Sequence, residues 1–579
     1  MKRRVIMNEF MKGMDISSYP EMLDKGYQYY DFEGKKINLL DFAKEQGFNY
    51  GRLRLWNNPS RIPETQGYCD IEHTKRMAKE LVSRELGFML DFHYSDWWAD
   101  PGHQEMPQAW KNLTDDELVE AVYSYTREVL EELAANQTYP DIIQIGNEIR
   151  CGMMWPAGKV SNWSMLARLI NAGIRAVRDT QGTRDSKVML HLDQGSRYYY
   201  FEEWFDHAIE NGVEDFDIIG LSYYPFWHGT FSDLKNTMEK LVERYHKPLI
   251  VAETAHPHRR SVGSLFGEAQ EQIAGFPATP QAQRKVLELI MSITAHIKDN
   301  MGLGIFYWEP FVRGSDEEGS WGTCMGMVND EGRPTEGCKA FAVNVNQIDC
   351  DVNAKIYEPR DLVLPQGADI RQYVPETVKV LKWDGRIEAQ PVSWNVDDLE
   401  DATEGTVAGM LTVSGETVQL QVRIESDDVN YIRNGAFEDA LEHWNLHKSE
   451  TAKTDIRQEV AEEFPFQTED YFYFASKDNF VLQLSQTVHA LEPGKYQLHL
   501  EYMGDNTTGV QVAMYAIGEQ MEEKKAIFPS DSQWQYCTLE WQVQETTDVE
   551  VGIKVDAPAI YGKIKNIALK KYQTARETL

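Results

Sequence analysis

The chain has 579 residues and sets 58 Lys and Arg against 92 Asp and Glu, a formal net charge of −34. That length exceeds what a single core organises and predicts two or three domains. An acid excess with no basic stripe excludes nucleic acid and anionic membrane surfaces as partners and leaves a neutral ligand as the best fit.

From the start to about Val345, strand-like runs alternate with amphipathic ones. The predicted strands are FMKGMDIS, YGRLRLW, GFMLDFHY, DIIQIGNEI, KVMLHLD, FDIIGLSYY, PLIVAET and GLGIFYWEP. HTKRMAKELVSREL, ELVEAVYSYTREVLEELAAN and QRKVLELIMSITAHI read as helices between them. Eight such units predict an α/β fold, a closed (β/α)8 TIM barrel over residues 1–345, with its site at the carboxyl ends of the strands. An open doubly wound sheet would need a glycine-rich phosphate loop after its first strand, and none is present. Pro359, Pro365 and Gly367 then punctuate a linker-like stretch, and helical periodicity largely stops. Short alternating runs predict two smaller all-β sandwich domains, 346–427 and 428–579.

Two of the barrel runs close on a glutamate, DIIQIGNE on Asn147 and Glu148 and PLIVAE on Glu253. Either could simply cap the following helix. As a pair delivered by separate strand ends, they suit acid/base and nucleophilic work on a glycosidic bond. The other strand ends are rich in groups that grip a sugar. They offer Arg52, Arg54 and Trp56; His93, Asp96, Trp97 and Trp98; His191 and Asp193; Tyr223, Tyr224 and Trp227; and Trp308 and Glu309. Aromatic faces stack on pyranose C–H faces, and planar polar groups pair with hydroxyls. Asp96 and Glu309 are rival carboxylates, each better suited to holding Arg52 or Arg54 or to capping a helix than to catalysis. His256 and His258, in HPH, are too few ligands for a metal and read as loop histidines facing substrate or solvent.

KGMDIS, YGRLRLWNNP, LDFHYSDWWADP, IQIGNEI, HLDQGS, IIGLSYYPFWHG, IVAETA, FPATPQAQ and FYWEP together resemble a family 53 glycoside hydrolase, an endo-β-1,4-galactanase of clan A. The resemblance covers about the first 340 residues. It implies a retaining double displacement on β-1,4-galactan or its oligosaccharides, with Glu148 as acid/base and Glu253 as nucleophile. Asn147 is implied on the sugar 2-hydroxyl, and a tyrosine, Tyr223 rather than Tyr224, on the nucleophile. Arg54, His93, Asp96, Trp97, His191, Tyr223, Trp227 and Trp308 complete the expected substrate site. No cofactor is expected. Where many bacterial relatives carry an acidic calcium loop, this chain has AHPHRRSVGSLFGEAQEQIAGFPATP, whose basic residues do not suit that ion.

The middle module resembles bacterial Ig-like domains through its VKV, WDG, VSW and GTVAG stretches. The last resembles a carbohydrate-binding module, with Trp534 and Trp541 as candidate platforms. No stretch is apolar enough to insert in a membrane, and MKRRVIMNEFMKGMD lacks a signal-peptide core, so the chain as it stands is expected to be cytoplasmic. Cys69, Cys151, Cys324, Cys338, Cys350 and Cys537 contain no CxxC pair and read as reduced thiols.

Overall fold

The computed structural model describes residues 9–572 except 262–265, 315–320, 360, 365–369, 373, 397–403, 425–429, 462–463, 505–510, 520 and 559. The chain divides into two compact units, Met1–Ile356 with Val380–Glu388, and Tyr357–Lys379 with Ala389–Leu579.

The first unit is a closed barrel of eight parallel strands: β1 Met11–Asp15, β2 Tyr50–Leu55, β3 Gly87–Phe92, β4 Ile142–Ile145, β5 Lys187–Leu192, β6 Ile218–Ser222, β7 Leu249–Thr254 and β8 Gly302–Tyr307. Neighbours in sequence are neighbours in the barrel, and β8 closes on β1. Successive side chains alternate between the barrel interior and the helical layer. Met11, Tyr50, Met89, Ile142, Met189, Ile218, Ile250 and Phe306 fill the interior at the lower end. Counting upward in twos from these residues therefore names the side chains that enter the site.

The helices are anchored by ordinary end chemistry. Thr114 and Glu117 form a reciprocal capping box on Asp115–Ala135. Thr279 caps Pro280–Ala295, where the first-turn proline has no N–H to leave unpaired. At the close of the unit, Asn353–Ile356 pairs antiparallel with Val380–Lys382.

In the second unit, Val392–Trp394, Glu404–Leu411 and Thr417–Ile424 run antiparallel, and Leu362–Leu364 lies parallel to the last of them. Two five-stranded sheets follow between Asn445 and Tyr572. Phe472, Leu498 and Ile564 from one sheet and Leu484, Met514 and Ile553 from the other share a single core. Trp541 belongs to that core, 5% exposed and stacked on Tyr496, and so is packing and not a platform. Trp534 is partly exposed, with the Lys565 ammonium over its ring.

Candidate active site

Arg52, pointing inward two residues above Tyr50, is the hub of the site. It is fully buried. One guanidinium nitrogen donates to Glu253 Oε1 at 2.8 Å and lies 3.4 Å from Asp15. The other donates to Asp91 at 2.9 Å, to Asn147 Oδ1 at 2.8 Å and to Gln144 at 3.3 Å. Three carboxylates outweigh the burial that opposes its charge and hold Arg52 firmly protonated. Arg54, the next inward position, bonds Glu309 at 2.5 Å and Ser18 at 2.6 Å. Its guanidinium also lies 4.2 Å from the Trp98 ring centre and 5.2 Å from that of Trp308.

Glu253 owes its aim to an irregularity. Ile250 and Ala252 face inward, so simple alternation would turn Glu253 toward the helices. The pairing register of β7 shifts against both β6 and β8 between Val251 and Thr254, and this bulge brings the next side chain inward as well. Glu148 reaches the site by another route: the chain leaves β4 through Gly146 at φ +79° and puts Glu148 itself in the left-handed region at φ +47°. Such a backbone costs a non-glycine residue about 1 kcal/mol or more, tolerated here because the surrounding contacts fix it.

Two residues of the β6 end divide their attention between the two acids. Ser222 Oγ lies 2.6 Å from Glu148 Oε1, and Tyr224 donates its hydroxyl to Glu253 Oε2 at 3.1 Å. Burial, then the charges of Glu253 and Asp193, push the Glu148 carboxyl well above the usual range. Burial also raises Glu253, to about 7, but Arg52 opposes that rise with both its charge and its hydrogen bond. Glu253 therefore ionises first, and Glu148 keeps its proton while its partner is charged.

A model of glycosyl hydrolase family 53 matches residues 11–341, more than half of the chain. The chain belongs to glycosyl hydrolase family 53. Its family 53 domain is 35% identical over 313 residues to an arabinogalactan endo-β-1,4-galactanase of Cellvibrio japonicus, covering 52% of this chain and 80% of that one. It is 32% identical over 312 residues to an endo-β-1,4-galactanase of Bacillus subtilis, covering 52% and 70%. Among solved structures, the family 53 catalytic domain of Ignisphaera aggregans matches with 35% identity and a TM-score of 0.53, over 57% of this chain and 95% of that one.

Within this family 53 barrel, the tyrosine on Glu253 is Tyr224. That corrects the expectation of Tyr223, whose hydroxyl donates to the carbonyl of Gly229 and whose ring packs on Phe231. The signal was in the sequence: Ile218, Ser222 and Tyr224 share the inward parity of β6, and Tyr223 does not. The Asn147 amide is spoken for on its oxygen, and its nitrogen donates one hydrogen to Ala99 O, which leaves the second for a ligand. His93 accepts N–H bonds from Ala99 and Trp56 at Nδ1 and faces Asp91 with Nε2. His191 is fully buried between Asn147 and Ser222. Asp96 takes the backbone N–H groups of Asn58 and Gln108, one on each oxygen, and ties two loops together. These three and Arg54 are all buried.

The exposed aromatic edge comprises Trp97, 39% exposed, and the partly exposed Trp98, Trp227 and Trp308. Trp321 joins them without having been singled out by its position in the sequence. It packs on Tyr224 and Trp227 and faces the Trp308 carbonyl with its indole N–H at 3.3 Å. No strand run leads up to it, so no periodicity marked it. His256 and His258 do not face substrate or solvent. Both are buried, their ring N–H groups on the carbonyls of Pro277 and Gly326. Among the described residues, no group of three or more His, Cys, Asp or Glu is placed to hold a metal ion. No helix among them is long and apolar enough to cross a membrane.

Proposed function

We propose that this protein hydrolyses β-1,4-galactosidic bonds inside galactan or its oligosaccharides with retention of configuration. The observation that carries the reading is the unequal treatment of two facing acids: Arg52 draws Glu253 toward its ionised form with its charge and hydrogen bond, and Tyr224 donates to it, while burial and the Glu253 charge push Glu148 well above the usual carboxyl range. Glu253 attacks the anomeric carbon as its bond to the bridging oxygen breaks, and Glu148 gives its proton to that oxygen. Glu148, now ionised, takes a proton from water as the water displaces Glu253. Glu253 returns as a carboxylate and Glu148 as the protonated acid. The second amide hydrogen of Asn147 is placed for a sugar hydroxyl next to the reacting carbon, and the tryptophan edge supplies stacking faces.

Digestion of purified galactan, followed over time by size-resolved oligosaccharide analysis, tests this reading. Mixed short oligosaccharides from the earliest times support internal cleavage. Galactose as the sole early product would make the enzyme exo-acting, and no product at all would reduce the barrel to a binding protein.

A further inference from the structure

The hydrogen bonds around Glu148 have a direction, and it can be worked out one donor at a time. The Asn147 side-chain amide has no freedom to flip: its oxygen must accept from the cationic Arg52 at 2.8 Å, and its nitrogen must donate to the Ala99 carbonyl at 2.8 Å. His191 Nδ1 lies 3.0 Å from that fixed acceptor, so Nδ1 carries the hydrogen. Burial and the neighbouring Arg52 charge keep the ring neutral, which leaves Nε2 bare. Nε2 lies 2.9 Å from Ser222 Oγ and must accept, which uses the one hydrogen that a serine hydroxyl has. Ser222 then turns only lone pairs toward Glu148 Oε1, 2.6 Å away. A contact that short between two bare oxygens is repulsive, and it becomes a hydrogen bond when the carboxyl carries the proton.

We propose that Asn147, His191 and Ser222 form a directional chain that holds the transferable proton on Glu148, with Ser222 and His191 as positioning residues for the acid. The opposite setting would put the His191 hydrogen on Nε2 and aim the bare Nδ1 at the Asn147 oxygen. Only the Gln144 amide, 3.2 Å from Nδ1 and already donating to Gly146 O and Asn147 Oδ1, would offset that repulsion. The chain is thus set for the first half of the reaction, when Glu148 must be an acid. In the second half Ser222 can turn its hydrogen to the carboxylate at the cost of its bond to His191.

The proposal rests on the acid role given to Glu148 above, and its test has one arm that needs no substrate. Neutron diffraction from the deuterated protein, crystallised on the acid side of the alkaline limb, locates the hydrogens. Deuterium on His191 Nδ1 and on the Glu148 carboxyl, with none on Nε2, is expected; deuterium on Nε2 overturns the proposal even if no galactan is cut. The second arm compares the pH dependence of kcat/KM for the native enzyme, Ser222→Ala and Ser222→Thr. Glu148 faces Glu253 from β7, Asp193 from the β5 end, Asp100 from the loop after β3 and Tyr224 from the β6 end. His191 faces Arg52, Asp91 and His93. None of these changes in either variant. Loss of an acceptor moves the alkaline limb to lower pH by about half a unit to one unit in Ser222→Ala, and Ser222→Thr restores it. A limb that stays put or moves to higher pH means that Ser222 donates to a carboxylate, and the proposal falls.

Discussion

Arg52, Tyr224 and Glu148 give this site its character, and each supports a prediction at the scale of one residue. The Tyr224 hydroxyl is a charged-acceptor hydrogen bond on Glu253. Tyr224→Phe should lower kcat/KM on galactan about 10- to 100-fold, in line with roughly 1.5–3 kcal/mol for such a bond. Tyr223→Phe, which removes a hydroxyl that donates to the Gly229 carbonyl and not to Glu253, should change it less than about threefold, within roughly 0.6 kcal/mol. Steady-state kinetics on the two variants separates these positions. Glu148 also bears on stability. Its native pKa lies above that of a glutamate in the unfolded chain, so between the two the native state holds more protons and stability falls as pH rises, by up to roughly 1.4 kcal/mol per pH unit. The contribution is whole below the ordinary carboxyl range and is lost as pH climbs toward the raised value. Glu148→Gln should therefore melt higher than the native enzyme above about pH 5, with the gap widening toward neutrality. Equal melting curves at all pH values would deny Glu148 its shifted proton. Much of this was legible in the residues: an Asn-Glu pair and a second glutamate at strand ends name the acids directly. What they could not name was Arg52 as the common partner of Glu253, Asp91 and Asn147, because that convergence of β2, β3, β4 and β7 exists only once the barrel is closed.

At the scale of elements, the strand runs were legible because each is a short β-branched or apolar stretch ending in polar or aromatic residues. The bulge in β7 was not. PLIVAET reads as an unbroken strand, and only the shifted registers against both neighbours show how Glu253 comes to face inward. The loops above the barrel depend on another concealed device. Gln283, on the helix Pro280–Ala295, donates to the carbonyls of His256 and Gly326, accepts from Thr335 and lies beside the Tyr307 hydroxyl. One buried amide thus ties together the segments that follow β7 and β8. Gln283→Ala would take one donor from each of those carbonyls, leaving His256 O to the Tyr307 hydroxyl and Gly326 O to His258, would strip Thr335 of its acceptor, and should destabilise the protein by about 2–4 kcal/mol. Thermal melting measures the loss, and limited proteolysis should find new cleavage between residues 256 and 335. A variant as stable and as protease-resistant as the native chain would show the tie to be dispensable.

For the whole molecule, the change from helical to strand periodicity near Val345 was legible, but the return of Val380–Glu388 to the barrel unit was not. Val380 and Leu381 are fully buried there, and their strand pairs with Asn353–Ile356. Chain order carries no sign of this, because the linker and the turn to Gly385 look like the opening of the next module. A chain ended after Ile356 should lose roughly 2–5 kcal/mol of barrel stability against one ended after Glu388, from the exposed surface of those two residues and their partners. Denaturant melts of the two truncations provide the comparison, and identical midpoints would place the segment outside the folding unit. The central claim is that Glu253 is the nucleophile of a retaining enzyme. Incubation with a 2-deoxy-2-fluoro-β-galactosyl substrate bearing an activated leaving group, followed by peptide mass spectrometry, tests it most directly. One fluorogalactosyl group on the peptide containing Glu253, absent in Glu253→Gln, is the predicted result; a label on Glu148 instead, or hydrolysis that releases the inverted anomer with no label, would contradict it.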